Sequence, residues 1–463
     1  MTDPVVDPAY CSAMDFLYGR LNYERLSSVT AKYPFRLKRT DQLLSAIGLD
    51  KYRFSQNARP AVPIVHVAGT KGKGSTCRMV AAALTASGLR TGTYTSPHIH
   101  QLEERFVVDG EMCPPDRFVQ LVNQLQPIVQ RVTDESGVPP SFFELTTCLA
   151  LMHFERSECD VVVLEVGLGG RLDSTNVCAA TVAAITSIGL DHQHVLGDTL
   201  AEIAAEKAGI IKSSAPVVCG VTDEQPLKVI QDVALQNSAS LFAMGDQFSF
   251  RYQPADDWGG RMIWQGQNQP LREHRELNLA LEGEHQAHNA AIAFSILDLL
   301  KSNGVAVDED NAIAAISELT FPARIERFDL PHGDRVIVDA AHNGDSVDAL
   351  CDCVGQRSSG RNVKFVFGTS RDKDAIEMLE QISKTTDAII LTRYHLNPRF
   401  RCPQELLGQL PPRIASKCVV EENPIAACQR ALERDDEASN LVVVCGSFFL
   451  AAETRQWVSE QCS

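Results

Sequence analysis

Residues 63–76 read PIVHVAGTKGKGST, and the reading of this run decides the fold. Pro63 to Ala68 is a short apolar run of strand character. Gly69 to Gly74 is glycine-rich, and Ser75 to Ser87 is an Ala-rich helical segment closed by Gly88. In that order, the turn and the helix N-terminus aim backbone N–H groups and the positive end of the helix dipole at one concavity, which suits phosphate oxygens. Glycines let the backbone approach without Cβ clashes, and Lys73 supplies a mobile cation. The spacing departs from the common G-x-x-x-x-G-K-[ST] loop. Val67 stands where the first Gly belongs, and Gly74 follows the Lys. A plain Gly-rich turn with an exposed Lys is the competing reading. The coincidence of strand, Gly-Thr, Gly-Lys and helix outweighs it.

Outward from this loop the pattern alternates. Strands are expected at Thr91–Thr95, Asp160–Val166 and Thr181–Ile188, with helices at Pro115–Val132, Phe143–Arg156 and Thr199–Ile211. Phe118, Leu121, Val122, Leu125 and Val129 share one helical face. Buried strands alternating with helices mark a parallel sheet covered on both faces. The first 60 residues read as helices and loops, with a helix stop at Ile47-Gly48. Trp258, Gly259, Gly260, Trp264 and Gly266, set among polar residues, suggest a small antiparallel excursion within Leu241–Leu281, before a helix at His285–Ser302. Leu319–Arg327 (LTFPARIER) reads as a linker, because Pro322 resists helix continuation. A second α/β pattern follows. Its strands are expected at Arg335–Asp339, Val363–Phe367, Ala388–Thr392 and Leu441–Cys445, and its helices at Ser346–Val354, Ala375–Thr385, Pro424–Glu433 and Phe448–Val458.

Composition narrows the function classes. The 463 residues suggest two large domains. Hydrophobic residues make up 44% and charged residues 22%, ordinary globular values. The net charge of −16 argues against a protein that coats nucleic acid, yet leaves room for an anionic substrate held by local cations. No apolar run has the length of a membrane span. Met1 to Ser12 lacks the basic and apolar regions of a secretory signal. The 14 Cys form no CxxC pair, so reduced thiols and a cytoplasmic location are expected.

Further candidates follow the expected strands, where open parallel sheets bind their ligands. These are Ser96 in Thr95-Ser96-Pro97-His98, Glu165 ahead of the loop Gly167–Asp173, and His192 after Asp191. A hydroxyl, a carboxylate and an imidazole could complete a Mg²⁺ shell with phosphate oxygens. Taken singly, each has a plainer reading: a turn residue before Pro97, a strand-end acid, a turn cap. Gly167-x-Gly169 is no dinucleotide fingerprint, since Leu172 stands where a third Gly is needed. On sequence alone Lys207 is a solvated cation near a helix end, and His342 a loop His after a strand.

In order along the chain, HVAGTKGKGST (66–76), YTSPH (94–98), EVGLGGRLDSTN (165–176), ITSIGLDH (185–192), AEKAGIIK (205–212), GEHQAHNAAIA (283–293), FPARIE (321–326), DAAHN (339–343) and GTSRDKD (368–374) resemble the folylpolyglutamate synthase/dihydrofolate synthase family of the Mur ligase superfamily. The resemblance implies an α/β protein. Its P-loop Mur-ligase-like domain with a mainly parallel sheet would span residues 1–318, a hinge 319–327, and a smaller Rossmann-like ligase domain 328–463. It also implies an ATP-dependent carboxylate–amine ligase adding L-glutamate to a folate or pteroate, with ATP as co-substrate and two Mg²⁺ ions. A monomer acting on small molecules, without nucleic acid or membrane, is expected.

By the same resemblance, Gly69, Thr70, Lys71, Gly72, Lys73, Gly74, Ser75 and Thr76 form the ATP loop. Asn289 matches an adenine contact, and Arg324 and Asp339 match ATP contacts. Ser96, Glu165 and His192 match Mg²⁺ ligands, and Lys207 a carbamylated lysine serving a second ion. Leu172, Asp173 and Ser174 fall at the pterin segment, and His342 matches an active-site His. Departures are Ala340 and Gly344 where Gly and Pro are usual, Ser174 for Ala, and Ala323 where the hinge usually has Gly; all are small residues. Two other readings compete. One is a cell-wall Mur ligase, which carries an extra N-terminal nucleotide-sugar domain for which the 68 residues before Gly69 leave little room. The other is a P-loop switch, disfavoured by the lack of an NKxD segment.

Overall fold

Strand β1 (Ile64–Ala68), buried along its whole length, lies inside the first sheet of the computed structural model. The structure describes residues 7–22, 37–54, 61–98, 101–272, 274–386, 388–395, 397–434 and 438–462, so parts of the expected N-terminal helical region lie outside it. The sheet continues with β2 (Thr91–Tyr94), β3 (Phe106–Val108), β4 (Glu111–Met112), β5 (Val161–Glu165), β6 (Val182–Ile185), β7 (Val217–Cys219) and β8 (Leu241–Ala243). The strand order is β4-β3-β2-β5-β1-β6-β7-β8. Strand β1 runs parallel to β5 and β6, and only β3 and β4 break the parallel run. Because β1 sits between two strands that come much later in the chain, the carboxyl ends of β5, β1 and β6 open side by side, the usual place for a ligand.

Apolar side chains cover both faces of this sheet. On one, Tyr94, Phe118, Leu145, Phe154, Val162 and Leu164 form a core with Leu43 and Tyr52 of the N-terminal region. On the same face, toward β6 and β7, Ala68, Ala183, Ile185, Ala204 and Ile210 form another under the helix Leu200–Ala208, while the buried Val65, Val67, Val163 and Ala184 point to the opposite face. The expected excursion is a three-stranded sheet of β9 (Phe248–Pro254), β10 (Gly260–Gly266) and β11 (Arg275–Leu279), ordered β11-β10-β9. Trp264 is fully buried there, and its indole N–H donates to the Ala291 carbonyl (3.2 Å).

The chain divides into two compact units. Residues 1–253, 261–279 and 284–319 form the first, and residues 254–260, 280–283 and 320–463 the second. The short early segments belong to the second unit for a visible reason: the buried Arg357 guanidinium donates to Glu282 (2.9 Å) and to the Gly259 carbonyl (3.0 Å). The second unit holds β12 (Glu326–Asp329), β13 (Arg335–Val338), β14 (Arg361–Phe367), β15 (Ala388–Leu391), β16 (Cys418–Val420) and β17 (Ser439–Cys445), ordered β12-β13-β17-β14-β15-β16. All pairings are parallel except β12 with β13. The run expected as a linker therefore ends inside a strand. Glu326 and Arg327 pair with Val338 and Ile337, and Arg327 is anchored by Asp329 and Asp257.

Candidate active site

The phosphate loop is held open by two glycines in conformations that side chains resist. Gly69 has φ +154° and Gly72 φ +81°, the latter at the N-cap of the helix Lys73–Ala86. A Cβ on Gly69 would lie 1.9 Å from the Thr186 hydroxyl, and one on Gly72 2.2 Å from the Asn289 side-chain oxygen. Two residues after β6 brace the loop from the side. Thr186 donates its hydroxyl to the Lys71 carbonyl (2.6 Å), and the Ser187 hydroxyl accepts the Lys71 N–H (2.9 Å). The Ser187 carbonyl accepts the Thr70 N–H (2.8 Å), and Thr70 Oγ1 accepts the Gly189 N–H (3.0 Å). The bracing hydroxyls of Thr186 and Ser187 are not candidates by motif; their sequence signal is two hydroxyl residues directly after a buried strand.

Two lysines converge on the loop. Lys73 Nζ folds back to the carbonyls of Gly69 (3.0 Å) and Thr70 (3.3 Å). Lys207, buried at 4% exposure, donates to the Gly69 carbonyl (2.9 Å). Burial, then the charge on Lys73, pulls the Lys207 amine down to about 7, with Asp191 and Asp173 opposing. The solvated cation expected from sequence is thus a buried amine. With Gly69, Thr70, Gly167, Leu168, Gly169, Asp191 and His192, these lysines line one cleft.

The metal candidates divide into two groups. Glu165, 4% exposed at the end of β5, accepts the Ser96 N–H (3.0 Å), and it lies 3.4 Å from where a Cβ on Gly74 would stand. The carboxylate therefore sits against the start of the phosphate-loop helix, at contact distance from the position after Lys73. His192 lines the cleft with a half-exposed side chain and left-handed backbone (φ +51°), its N–H held by Asp191 (2.9 Å). Among the described residues no three His, Cys, Asp or Glu side chains gather into a metal-holding cluster. The donors at hand are one carboxylate, one imidazole and one hydroxyl, and such a set needs phosphate oxygens or water to fill an octahedral Mg²⁺ shell.

In the pterin segment, Asp173 is buried and its carboxylate is fully engaged. Oδ2 accepts the N–H groups of Gly167 (3.1 Å) and Leu168 (3.0 Å), and Oδ1 those of the Thr175 backbone (3.0 Å) and hydroxyl (2.5 Å). Burial raises its pKa against these hydrogen bonds. The Ser174 hydroxyl pairs with Thr147 (3.0 Å), while Leu172 is half-buried. Asn289, buried beside Gly72, donates to Gln286 (3.2 Å).

In the second unit, Asp339 at the end of β13 accepts the N–H groups of Ile325 and Ala341, both at 2.7 Å. Burial raises its pKa, and Arg324 opposes. Ala323 (φ +53°) and Ile325 (φ +48°) flank the exposed Arg324 with left-handed backbone, so Ala323 occupies a conformation natural to the Gly usual at this position. His342 Nδ1–H donates to the Ala340 carbonyl (2.9 Å), and Asn343 caps the helix Gly344–Arg357. Gly344 leaves space that the Glu377 carboxylate fills, 2.4 Å from where a Cβ would stand.

The Mur ligase middle domain matches residues 67–297, and the Mur ligase glutamate ligase domain residues 323–448. The dihydrofolate synthase/folylpolyglutamate synthase of Escherichia coli is 32% identical over 407 residues, covering 88% of this chain and 89% of that protein. Its counterpart in Mycobacterium tuberculosis is 35% identical, covering 71% and 70%. The chain belongs to the dihydrofolate synthase/folylpolyglutamate synthase family. A crystal structure of M. tuberculosis folylpolyglutamate synthase complexed with ADP and AMPPCP matches with a TM-score of 0.84 at 30% identity, over 97% of this chain and 98% of that one. The α/β fold with mainly parallel sheets is that of the family.

Proposed function

We propose that this chain joins the amine of L-glutamate to the carboxylate of a folate or pteroate at the expense of ATP. The observation that carries the reading is the cleft in which Lys73 and Lys207 meet the open phosphate loop beside the Gly167–Gly169 turn. The acceptor carboxylate takes the γ-phosphoryl group of ATP, giving an acyl phosphate and ADP. The glutamate amine then adds to the acyl carbon, and the tetrahedral intermediate expels phosphate as the amide forms.

Each residue's part follows from where it stands. Loop N–H groups and the helix N-terminus bind phosphate oxygens. Lys73 swings from the Gly69 and Thr70 carbonyls to the transferring phosphoryl group, where positioned charge is the main source of rate. The Thr70 N–H bond to the Ser187 carbonyl and the Gly189 N–H bond to the Thr70 hydroxyl keep the loop in place as that Lys moves. Ser96, Glu165 and His192 would hold Mg²⁺, and Lys207, as a carbamate, would offer oxygen to a second ion. Bound there, Mg²⁺ supplies charge neutralisation at the phosphates. Arg324, Asp339 and His342 are assigned to ATP and to the reacting groups by resemblance.

Among the described residues no helix is long and apolar enough to cross a membrane. Twelve of the 14 cysteines are at least partly buried and all are free, which suits a reduced cytoplasmic setting; a monomer acting on small molecules completes the proposal. The deciding experiment incubates purified protein with ATP, Mg²⁺ and glutamate and compares dihydropteroate with tetrahydrofolate as acceptor. A product heavier by one glutamyl residue supports ligation, and the preferred acceptor defines the specificity. ATP turnover that needs neither acceptor nor glutamate overturns it.

A further inference from the structure

His66 lies in the middle of β1 with no solvent exposure, an expensive place for an imidazole unless it is used. Its Nε2 is 2.8 Å from Thr175 Oγ1. The Thr175 hydroxyl spends its single proton on Asp173 Oδ1, so it accepts from His66, which fixes the Nε2–H tautomer. Asp173 passes the constraint on: Oδ2 accepts the N–H groups of Gly167 and Leu168, in the turn that walls the cleft beside Lys73, His192 and Lys207. A carboxylate offers about four acceptor positions, and here four donors fill them. The relay therefore runs in one direction, from imidazole to hydroxyl to carboxylate to two backbone amides.

The imidazole is neutral throughout the physiological range, because burial, and secondarily Lys212, push it down to about 3. It also carries a cost: Nδ1 is buried without a hydrogen-bond partner among the described residues. An aliphatic side chain would fill a central strand position without leaving that nitrogen unpaired. What the imidazole offers that an aliphatic side chain lacks is its one hydrogen bond, to Thr175.

We propose that His66 is a positioning residue for the acceptor: through Thr175 and Asp173 it sets the Gly167–Gly169 turn against which the pteridine-bearing substrate packs. This rests on the folate or pteroate reading of the cleft and goes beyond it, since His66 itself lies inside the sheet and touches no substrate. Nucleotide binding runs through different contacts, those of Thr186 and Ser187 to the phosphate loop.

The test compares His66→Leu, which deletes the donor, with His66→Gln, whose amide N–H₂ reaches about as far as Nε2–H, and Thr175→Val with Thr175→Ser. Losing one buried hydrogen bond that orders a binding surface corresponds to about a tenfold effect or more. The KM for the acceptor should rise at least about tenfold in His66→Leu and Thr175→Val, with the KM for ATP within about twofold of the parent. His66→Gln and Thr175→Ser should restore most of the loss. The double variant His66→Leu/Thr175→Val should be no worse than the poorer single one, because both break the same relay. Amide hydrogen exchange at Gly167 and Leu168, measured without substrate, should quicken in the donor-deleted variants and stay near the parent rate in His66→Gln. Equal rises in both KM values, no rescue by Gln and Ser, or unchanged exchange at Gly167 and Leu168 overturns the proposal. A parent protein that ligates no folate or pteroate removes the functional reading, while the exchange rates still decide whether His66 orders the turn.

Discussion

Lys207 crosses from the helix Leu200–Ala208 to place its amine 2.9 Å from the carbonyl of Gly69, the first residue of the phosphate loop. With the amine pulled down to about 7, a large fraction is uncharged at neutral pH, the form that attacks CO₂. A carbamate there would turn a cation into an anionic oxygen donor. Lys207→Ala should be nearly inactive and regain part of its activity with added short-chain carboxylates. Full activity of the Ala variant, or a mass and a structure showing a bare amine with nucleotide and Mg²⁺ bound, would end the idea. The neighbouring Glu206 does not stand in the way, because it pairs outward with Arg171 (2.7 Å).

Lys73→Ala should fold normally and lose at least about a hundredfold in turnover, the usual scale for removing a preorganised charge at a transferring group. Folding should survive because, among the described residues, the Lys73 side chain bonds only to carbonyls of its own loop. Single-turnover phosphate release at saturating ATP measures it, and near-normal turnover rejects the assignment.

Glu165→Gln keeps the size of the side chain but removes its charge beside the phosphate-loop helix. The Mg²⁺ concentration giving half-maximal activity should rise at least about tenfold, with a similar rise for His192→Ala. An unchanged Mg²⁺ requirement in both variants would exclude a shared ion and leave Glu165 with its observed task of holding the Ser96 N–H.

The buried imidazoles make an acid-side prediction whose sign is fixed. His66 is held down to about 3 and His153 to about 4, so below about pH 6.5 the unfolded chain binds more protons than the folded one. Their stabilising contribution is complete above the unfolded value near 6.5 and is lost as pH falls toward these folded values. The urea midpoint should therefore fall from about pH 7 toward pH 4, and His66→Gln should flatten the fall without abolishing it. An identical slope in parent and variant would show that His66 titrates as it does in the unfolded chain.

Local signals made most of the fold legible. Helix Ala375–Thr385 has the bounds its sequence pattern suggests; in the structure Asp374 caps its start and Thr386 leaves it extended. Strands as short as Cys418–Val420 or Val217–Cys219 were missed, since three residues cannot display a period and take their conformation from the neighbouring strand. Motif residues near the loop were nameable one by one, but their partnerships were not. Sequence spacing cannot show that residue 66 meets residue 175, or that the Lys207 amine points inward; the sheet order, with β1 between β5 and β6, creates those meetings. Nor was it legible that Glu326 and Arg327 pair in a strand, because the complementary edge of β13 lies beyond a turn rather than in a periodic pattern.

Gly72 carries two separable constraints, and a pair of variants can divide them. Its φ of +81° costs any L side chain roughly 1–2 kcal/mol. A Cβ would also stand 2.2 Å from Asn289 Oδ1, a distance that only movement can relieve. Asn289 is itself buried and held by Gln286, so it cannot simply swing away. Gly72→Ala in the parent should therefore lose the conformational cost plus a clash cost. In an Asn289→Ala background it should lose only the former, about 1–2 kcal/mol. Urea denaturation of the four proteins of this cycle measures the difference. Equal losses in both backgrounds would mean that the clash is absorbed and that backbone conformation alone demands glycine here. A smaller loss with Asn289→Ala would show that Asn289 and the phosphate loop are fitted to each other, and that the contact expected to read the adenine also holds the loop in shape.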